Sequence, residues 1–317
     1  MTNDDVVLVG IDGSQTSLNA LDWAAAYARA HGFRLHLVCS YSLPSFTATA
    51  LDGGYAALDD SAIADGARAV LDEAVARVAM TRVRTTSAVA TGDAAAVLVE
   101  LSRGAALAVV GTRGRGGFAE RLLGTVSSAL PAHAHCPTVV VPLRSRGGEE
   151  LLPEPESRRT VRRIVVGVDG SPAAERALGA AIREAEVWGA ELTAVAGVPV
   201  GTGAGIMAWL PAAVDHEAVL RDVAEGLDVV VDRALADHPG IQVRRHVLDG
   251  TGAALLTEFS TAVDLVVVGS RGRGGFAGLL LGSTSQAVLH HAVCPVMVVT
   301  ARAQEDEWSP TSVGGPR

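Results

Sequence analysis

The chain contains no lysine: all 26 of its basic residues are arginines. A P-loop places a lysine on the β and γ phosphates, so Walker-type NTPase chemistry is excluded, and a kinase glycine loop lacks the strand-borne lysine it needs. Aromatic residues make up only 4% of the sequence. Cysteine is scarce too, with Cys39, Cys136 and Cys294 each within or beside an apolar strand-like run. That placement reads as buried reduced thiols rather than a disulfide framework. No basic block offsets the net charge of -9, which argues against a nucleic-acid partner. No stretch approaches the roughly 18 uncharged apolar residues of a membrane span. The first residues are polar and acidic, without the cationic and apolar regions of a secretory leader. These absences together predict no membrane span and a cytoplasmic location.

What the chain does have is one glycine-rich phrase, twice. Residues 110–127 read VGTRGRGGFAERLLGTVS and residues 268–285 read VGSRGRGGFAGLLLGSTS, 158 positions apart. Both copies carry Gly-x2-Gly-x9-Gly-Ser/Thr, as Gly111, Gly114, Gly124 and Thr125, then as Gly269, Gly272, Gly282 and Ser283. Val9-Gly10-Ile11-Asp12-Gly13-Ser14 returns as Val166-Gly167-Val168-Asp169-Gly170-Ser171, and His135-Cys136-Pro137 as Val293-Cys294-Pro295. Matches at the start, middle and end of a unit mean duplication of a whole domain. A chain of 317 residues suits two domains of roughly 150 residues, each able to bury its own core. The expected division is a first domain over 1–143, a linker over 144–161 rich in glycine, proline and acids, a second domain over 162–300, and a polar, disordered tail over 301–317.

Each half scans as alternating strands and helices. In the first, strands are expected at Val6–Ile11, Leu35–Cys39, Val83–Val89, Leu107–Gly111 and Thr138–Pro142. Helices are expected at Ser17–Ala30, Ile63–Val78, Ala94–Arg103 and Thr125–Ala134. The second half repeats this order from Ile164–Val168 through to Val296–Thr300. Continuous apolar runs such as Leu265-Val266-Val267-Val268 are what two-sided burial in a parallel sheet requires. Ser14 and Ser171 stand where helix N-caps belong, the second followed by Pro172 at the first helical position.

The glycine phrase has a chemical reading. After the fourth strand a loop with Gly111, Gly114, Gly116 and Gly117 has little side-chain bulk, so several N–H groups can approach one anion. Nine residues after Gly114 or Gly272 a helix begins. Its start offers free amides, a positive dipole end and the hydroxyls of Thr125 and Ser127, or of Ser283, Thr284 and Ser285. Loop and helix start form two walls of a polyphosphate cradle, with Arg113 and Arg115, or Arg271 and Arg273, adding charge from the side. A turn needed only for tight packing would leave the hydroxyls after both third glycines without a reason. Gly114-x-Gly116-x-x-Ala119 fits a dinucleotide fingerprint, but it follows the fourth strand rather than the first. Asp12 and Asp169 end strand one. Either could accept from a ribose or adenine donor, hold Mg²⁺ beside phosphates, or simply bond its own turn.

Catalytic parts are missing. No histidine or paired carboxylate falls at a fixed place near both glycine loops, so no general base is duplicated with the cradle. His133, His135 and Cys136, like His290, His291 and Cys294, lie close in sequence, but histidine is favoured at helix C-termini by the dipole. The loop Pro199–Pro211, with Met207 and Trp209, either covers the second site or packs on the surface.

These motifs resemble the universal stress protein family, specifically its tandem two-domain members, over about 280 residues. The glycine signature looks like that of the family's ATP-binding branch. The resemblance implies two Rossmann-like, adenine nucleotide alpha hydrolase-like α/β domains, each a five-stranded parallel sheet of order 3-2-1-4-5, with the halves joined through their last strands. It implies ATP in each half, a nucleotide-responsive regulator in stress or dormancy adaptation rather than an enzyme, a homodimer, and a protein partner that the sequence does not name. A slow ATPase of the same fold is the alternative. Carried over by motif, the nucleotide contacts fall on Gly111, Thr112, Arg113, Gly114, Arg115, Gly116, Gly124, Thr125, Val126 and Ser127. In the second half they fall on Gly269, Ser270, Arg271, Gly272, Arg273, Gly274, Gly282, Ser283, Thr284 and Ser285. Gly10 and Asp12, with Gly167 and Asp169, would line the nucleoside side, and the two aspartates are the candidate Mg²⁺ ligands. The family's pattern has an aspartate before the fourth strand, met by Asp264 but replaced by Ala106, and a proline where Ala94 stands.

Overall fold

A computed structural model describes residues 5–42, 60–114, 123–143, 145–146, 149–150, 160–199, 216–273 and 280–300. The first half runs β1 (Val6–Gly10), α1 (Gln15–His31), β2 (Arg34–Tyr41), α2 (Asp60–Val78), β3 (Thr85–Thr91), α3 (Ala94–Leu101), β4 (Leu107–Gly111), α4 (Thr125–His133) and β5 (Thr138–Val141). A two-residue antiparallel pair, β6 (Ser145–Arg146) and β7 (Glu149–Glu150), lies in the segment expected to be a linker. The second half runs β8 (Arg163–Gly167), α5 (Pro172–Trp188), β9 (Glu191–Val198), α6 (His216–Leu235), β10 (Val243–Asp249), α7 (Gly252–Phe259), β11 (Leu265–Gly269), α8 (Ser283–His291) and β12 (Val296–Val299).

All ten long strands form one sheet, in the order β10-β9-β8-β11-β12-β5-β4-β1-β2-β3. Each half therefore has the 3-2-1-4-5 order, parallel throughout, and the halves meet at the antiparallel pair β5 and β12, with Val139 opposite Met297. Alternation along the strands builds two cores. Val7 and Val9, with Val166 and Val267, share one core with α1, α2, α5 and α6, while Leu8, Ala108 and Val110, with Val165 and Val268, share the other with α3, α4, α7 and α8. Cys39, Cys136 and Cys294 are buried and unpaired by disulfides, and burial pushes the Cys136 thiol up to about 12.

The halves also join on the helical face of α1 and α5. Glu184 is 6% exposed and collects three side chains. Tyr27 donates to its Oε1, Trp188 Nε1 donates to its Oε2 at 3.1 Å, and His31 Nε2 lies 3.3 Å from Oε2. Tyr27 stacks on His31 with ring centres 3.8 Å apart. On the sheet side, Thr300 Oγ1 donates to Ala134 O across the same junction.

Strand boundaries shift where pairing, not hydropathy, sets them. β3 runs to Thr91, beyond the expected end at Val89, because its polar residues are held opposite β2 as far as Tyr41. Asp264 Oδ2 accepts from the N–H groups of Arg162 and Arg163, both at 2.9 Å, fixing the entry to β8.

Candidate functional site

The serines expected as caps are caps: Ser14 Oγ accepts from Ser17 N, and Ser171 Oγ from Ala174 N. Asp93 and Thr251 do the same for α3 and α7. Six α-helices have described starts, and among these only α4 and α8 have no side-chain cap. Their N-cap residues are Gly124 and Gly282, the third glycines of the repeated phrase. A glycine cannot offer a capping oxygen, so the first-turn amides of Thr125, Val126 and Ser127 keep their donors for another acceptor.

The glycine loop is held against that helix start by its own backbone. Gly124 N donates to Thr112 O at 2.9 Å, and Gly282 N donates to Ser270 O at 2.8 Å. The hydroxyls of Ser127 and Ser285 reinforce the same joint, donating to Thr112 O at 2.7 Å and to Ser270 O at 3.0 Å. These two serines are 2% and 3% exposed. Their hydroxyls thus brace the loop against the helix start. Thr125, Ser283 and Thr284 are exposed by contrast.

The glycines mark close approaches. A Cβ on Gly111 would lie 2.6 to 2.8 Å from the backbone and Cβ of Thr16, and one on Gly269 equally close to Ala173. A Cβ on Gly114 would collide with Asp12 Oδ2, and one on Gly272 with Asp169 Oδ2. Each aspartate therefore sits directly beneath the second glycine of its own loop. Oδ1 of Asp12 accepts from Ser14 N at 3.0 Å and Ser14 Oγ at 2.6 Å, and Oδ1 of Asp169 from Ser171 N at 2.9 Å. In the first half the hydroxyls of Thr16 and Ser14 also donate to Arg113 O, tying the loop to the start of α1.

These elements enclose a cavity of about 530 Å³ at the C-terminal ends of β1, β2 and β4. That volume lies within the range of about 300–1,000 Å³ typical of small-molecule sites. Of the residues expected at the site, Gly10, Asp12, Gly111, Arg113, Gly114, Gly124, Thr125, Val126 and Ser127 line it. Ser17, Val38, Ser40, Ala94, Leu98, Val110 and Leu123 line it too, without having been expected from the sequence. Donors cluster at the β4–α4 end, whereas Val38, Ala94 and Leu98 make the β2 end largely apolar, with Ser40 as its hydroxyl. Arg115, Gly116, Gly117 and Gly274 lie outside the described residues, as do most of the Pro199–Pro211 loop and the 301–317 tail. In the second half Arg273 donates its N–H to Asp169 Oδ2 at 3.0 Å, and its guanidinium lies over Gly170. Among the described residues no group of three or more His, Cys, Asp or Glu side chains is placed to hold a metal. None of the described helices is long and apolar enough to cross a membrane.

A doubly wound α/β unit, duplicated and fused through its last strands, with a glycine loop facing an uncapped helix start, defines the class of this protein. A model of the universal stress protein family matches residues 5–142 and again 160–300. One universal stress protein of Mycobacterium tuberculosis is 34% identical over 302 residues, covering 92% of this chain and 95% of that protein. Another from the same organism is 32% identical over 327 residues, covering 96% and 97%. A universal stress protein structure from Archaeoglobus fulgidus superposes with a TM-score of 0.65 at 21% identity, covering 94% of this chain and 98% of that one. The chain belongs to the universal stress protein family, as a member with two tandem domains.

Proposed function

We propose that the protein binds an adenine nucleotide, ATP, with its phosphates between the glycine loop and the start of α4, and that the same cradle recurs at α8. The observation that carries this reading is the pairing of the two uncapped helix starts with the two glycine loops. An N-terminal dipole and unmet amides facing a loop without side chains favour a polyanion. A nucleotide laid with its phosphates on Thr125 and Val126 directs its base past Asp12 toward Val38, Ala94 and Leu98, a largely apolar end of the cavity. Asp12 and Asp169 then stand beside the ribose or the phosphates, as hydroxyl acceptors or as ligands of a nucleotide-bound Mg²⁺.

Binding without efficient turnover fits the cavity wall. Among its described lining residues Asp12 is the one carboxylate, and no histidine is present. A lone carboxylate already accepting two hydrogen bonds from Ser14 is a poor general base. Nucleotide bound to the folded state at about 100 times its dissociation constant adds roughly 2.7 kcal/mol to that state. That is enough to bias a conformation or a dimer toward a partner in stress or dormancy, the regulatory role we infer.

The test is to identify nucleotide released on denaturing the purified protein and to time ATP loss in the native sample. Released or added adenine nucleotide with negligible ATP loss is expected. Absence of any bound nucleotide sinks the reading, and turnover at ordinary enzyme rates replaces it with that of an ATPase.

A further inference from the structure

The two halves set one motif on one frame, but the walls opposite the glycine loops differ. In the first half the cavity continues past Asp12 to the end of β2, where Val38 and Ser40 line it. Ser40 Oγ donates to Gly92 O at 2.7 Å, so a side chain stands between β2 and the turn leading into α3. In the second half Val195 pairs with Gly167 as Val38 pairs with Gly10, which puts Gly197 in the place of Ser40. A Cβ on Gly197 would lie 2.8 Å from Gly250 O and 2.8 Å from Gly252 N. The turn between β10 and α7 therefore rests on the bare backbone of β9, in room that the first half gives to a side chain.

A further contact points the same way. Thr284 stands at the place of Val126 in the helix start, and its methyl comes within 3.7 Å of a Cβ placed on Gly252, so α8 lies close against the start of α7. The phosphate end of the second cleft keeps the features of the first: an uncapped helix start and a loop joined to it by Gly282 N and Ser285 Oγ. What changes is the end where a base would lie.

We infer that the two clefts are unequal: the first holds a complete nucleoside triphosphate, and the second is closed on its base side and holds phosphate groups with no seat for the base. The inference rests on the nucleotide reading above and refines it. The residue that decides between them is Ser40 against Gly197, through the turn each one holds off or admits.

Calorimetric titration of the full chain with ATP and with tripolyphosphate tests it. One tight equivalent of ATP per chain is expected, any second equivalent being at least about tenfold weaker, a difference of about 1.4 kcal/mol. Gly272→Glu should keep the tight equivalent and Gly114→Glu should lose it. Because Gly114→Glu drives a carboxylate against Asp12, Ser40→Leu serves as a second variant that fills the base end without touching the loop. It should weaken ATP by at least about tenfold while tripolyphosphate binding stays unchanged, which also reports that the protein is folded. Two equal ATP equivalents in the unmodified chain, or a tight equivalent surviving in Gly114→Glu, overturns the inequality and leaves the nucleotide reading intact. No ATP binding at all overturns both.

Discussion

The phenol of Tyr27 in the first half donates its proton to Glu184 of the second, 2.7 Å away and buried. Burial, with the carboxylate of Glu184 next, holds the Tyr27 hydroxyl well above its ordinary value of 10.0. A group whose folded value is raised contributes stability that is complete below the unfolded value and is lost as pH climbs toward the folded one. Alkaline weakening is therefore expected to begin above about pH 10. Tyr27→Phe should cost about 1.5 to 3 kcal/mol near neutral pH, since it leaves a buried carboxylate short of a donor. The same variant should show a shallower fall of stability above about pH 10. Urea unfolding at several pH values checks both; an unchanged alkaline slope would count against this role for Tyr27.

Thr16 ties the loop to α1 through the carbonyl of Arg113. Thr16→Val keeps the shape and removes the donor. Nucleotide affinity of the first cleft should fall by roughly fivefold, in keeping with about 1 kcal/mol for one hydrogen bond. Stability of the ligand-free protein should change little by comparison, because Ser14 also reaches that carbonyl. Calorimetry and thermal unfolding on the same samples separate the two effects.

Gly111 and Gly269 are demanded by packing, apart from any ligand. A methyl on either would meet backbone atoms of Thr16 or Ala173 at 2.6 to 2.7 Å. Gly111→Ala and Gly269→Ala should each destabilise the fold by about 1 to 3 kcal/mol, as overpacked cores do. Gly32→Ala has open space around it, but its left-handed φ of 72° still adds strain, so its loss should come from backbone conformation alone. Chemical denaturation of the three variants, with and without ATP, checks this. Gly32→Ala should leave the ATP-induced gain intact.

Arg77 of α2 clasps Asp22 of α1 with Nε at 2.6 Å and Nη2 at 2.7 Å. The bidentate geometry is specific to a guanidinium. Arg77→Ala should lower stability by no more than about 1 kcal/mol for a pair near the surface. Arg77→Lys should not restore it. Both are read from the unfolding midpoint at low and high salt, and the difference should shrink as salt rises.

Much of this architecture was readable in the residues because the duplication states each message twice. Gly111, Gly124 and Thr125 predict a loop and a helix start, and their copies at Gly269, Gly282 and Ser283 remove the reading of chance. Ser40, Ala94 and Leu98 carried no such signal. They sit on β2 and α3, and only the strand order, which places β2 beside β1 and β1 beside β4, brings them to one cavity. The engagement of the Ser127 hydroxyl was not legible for a related reason. Its position in the motif predicts a ligand contact, whereas its hydroxyl donates to the carbonyl of Thr112 at 2.7 Å. Gly197 reads in the sequence as an ordinary residue of an apolar strand, and its meaning appears only beside Gly250 and Gly252.

The antiparallel pairing of Val139 with Met297 sets the direction of everything attached to it. Within each half all strands run the same way, and the cradle lies at their C-terminal ends. Reversing the direction at the junction points the two mouths away from each other, toward opposite ends of a single continuous sheet. If one cleft senses the state of the other, the message passes through the body of the protein, along a slab whose midline is the β5–β12 seam and the Tyr27–Glu184 contact above it.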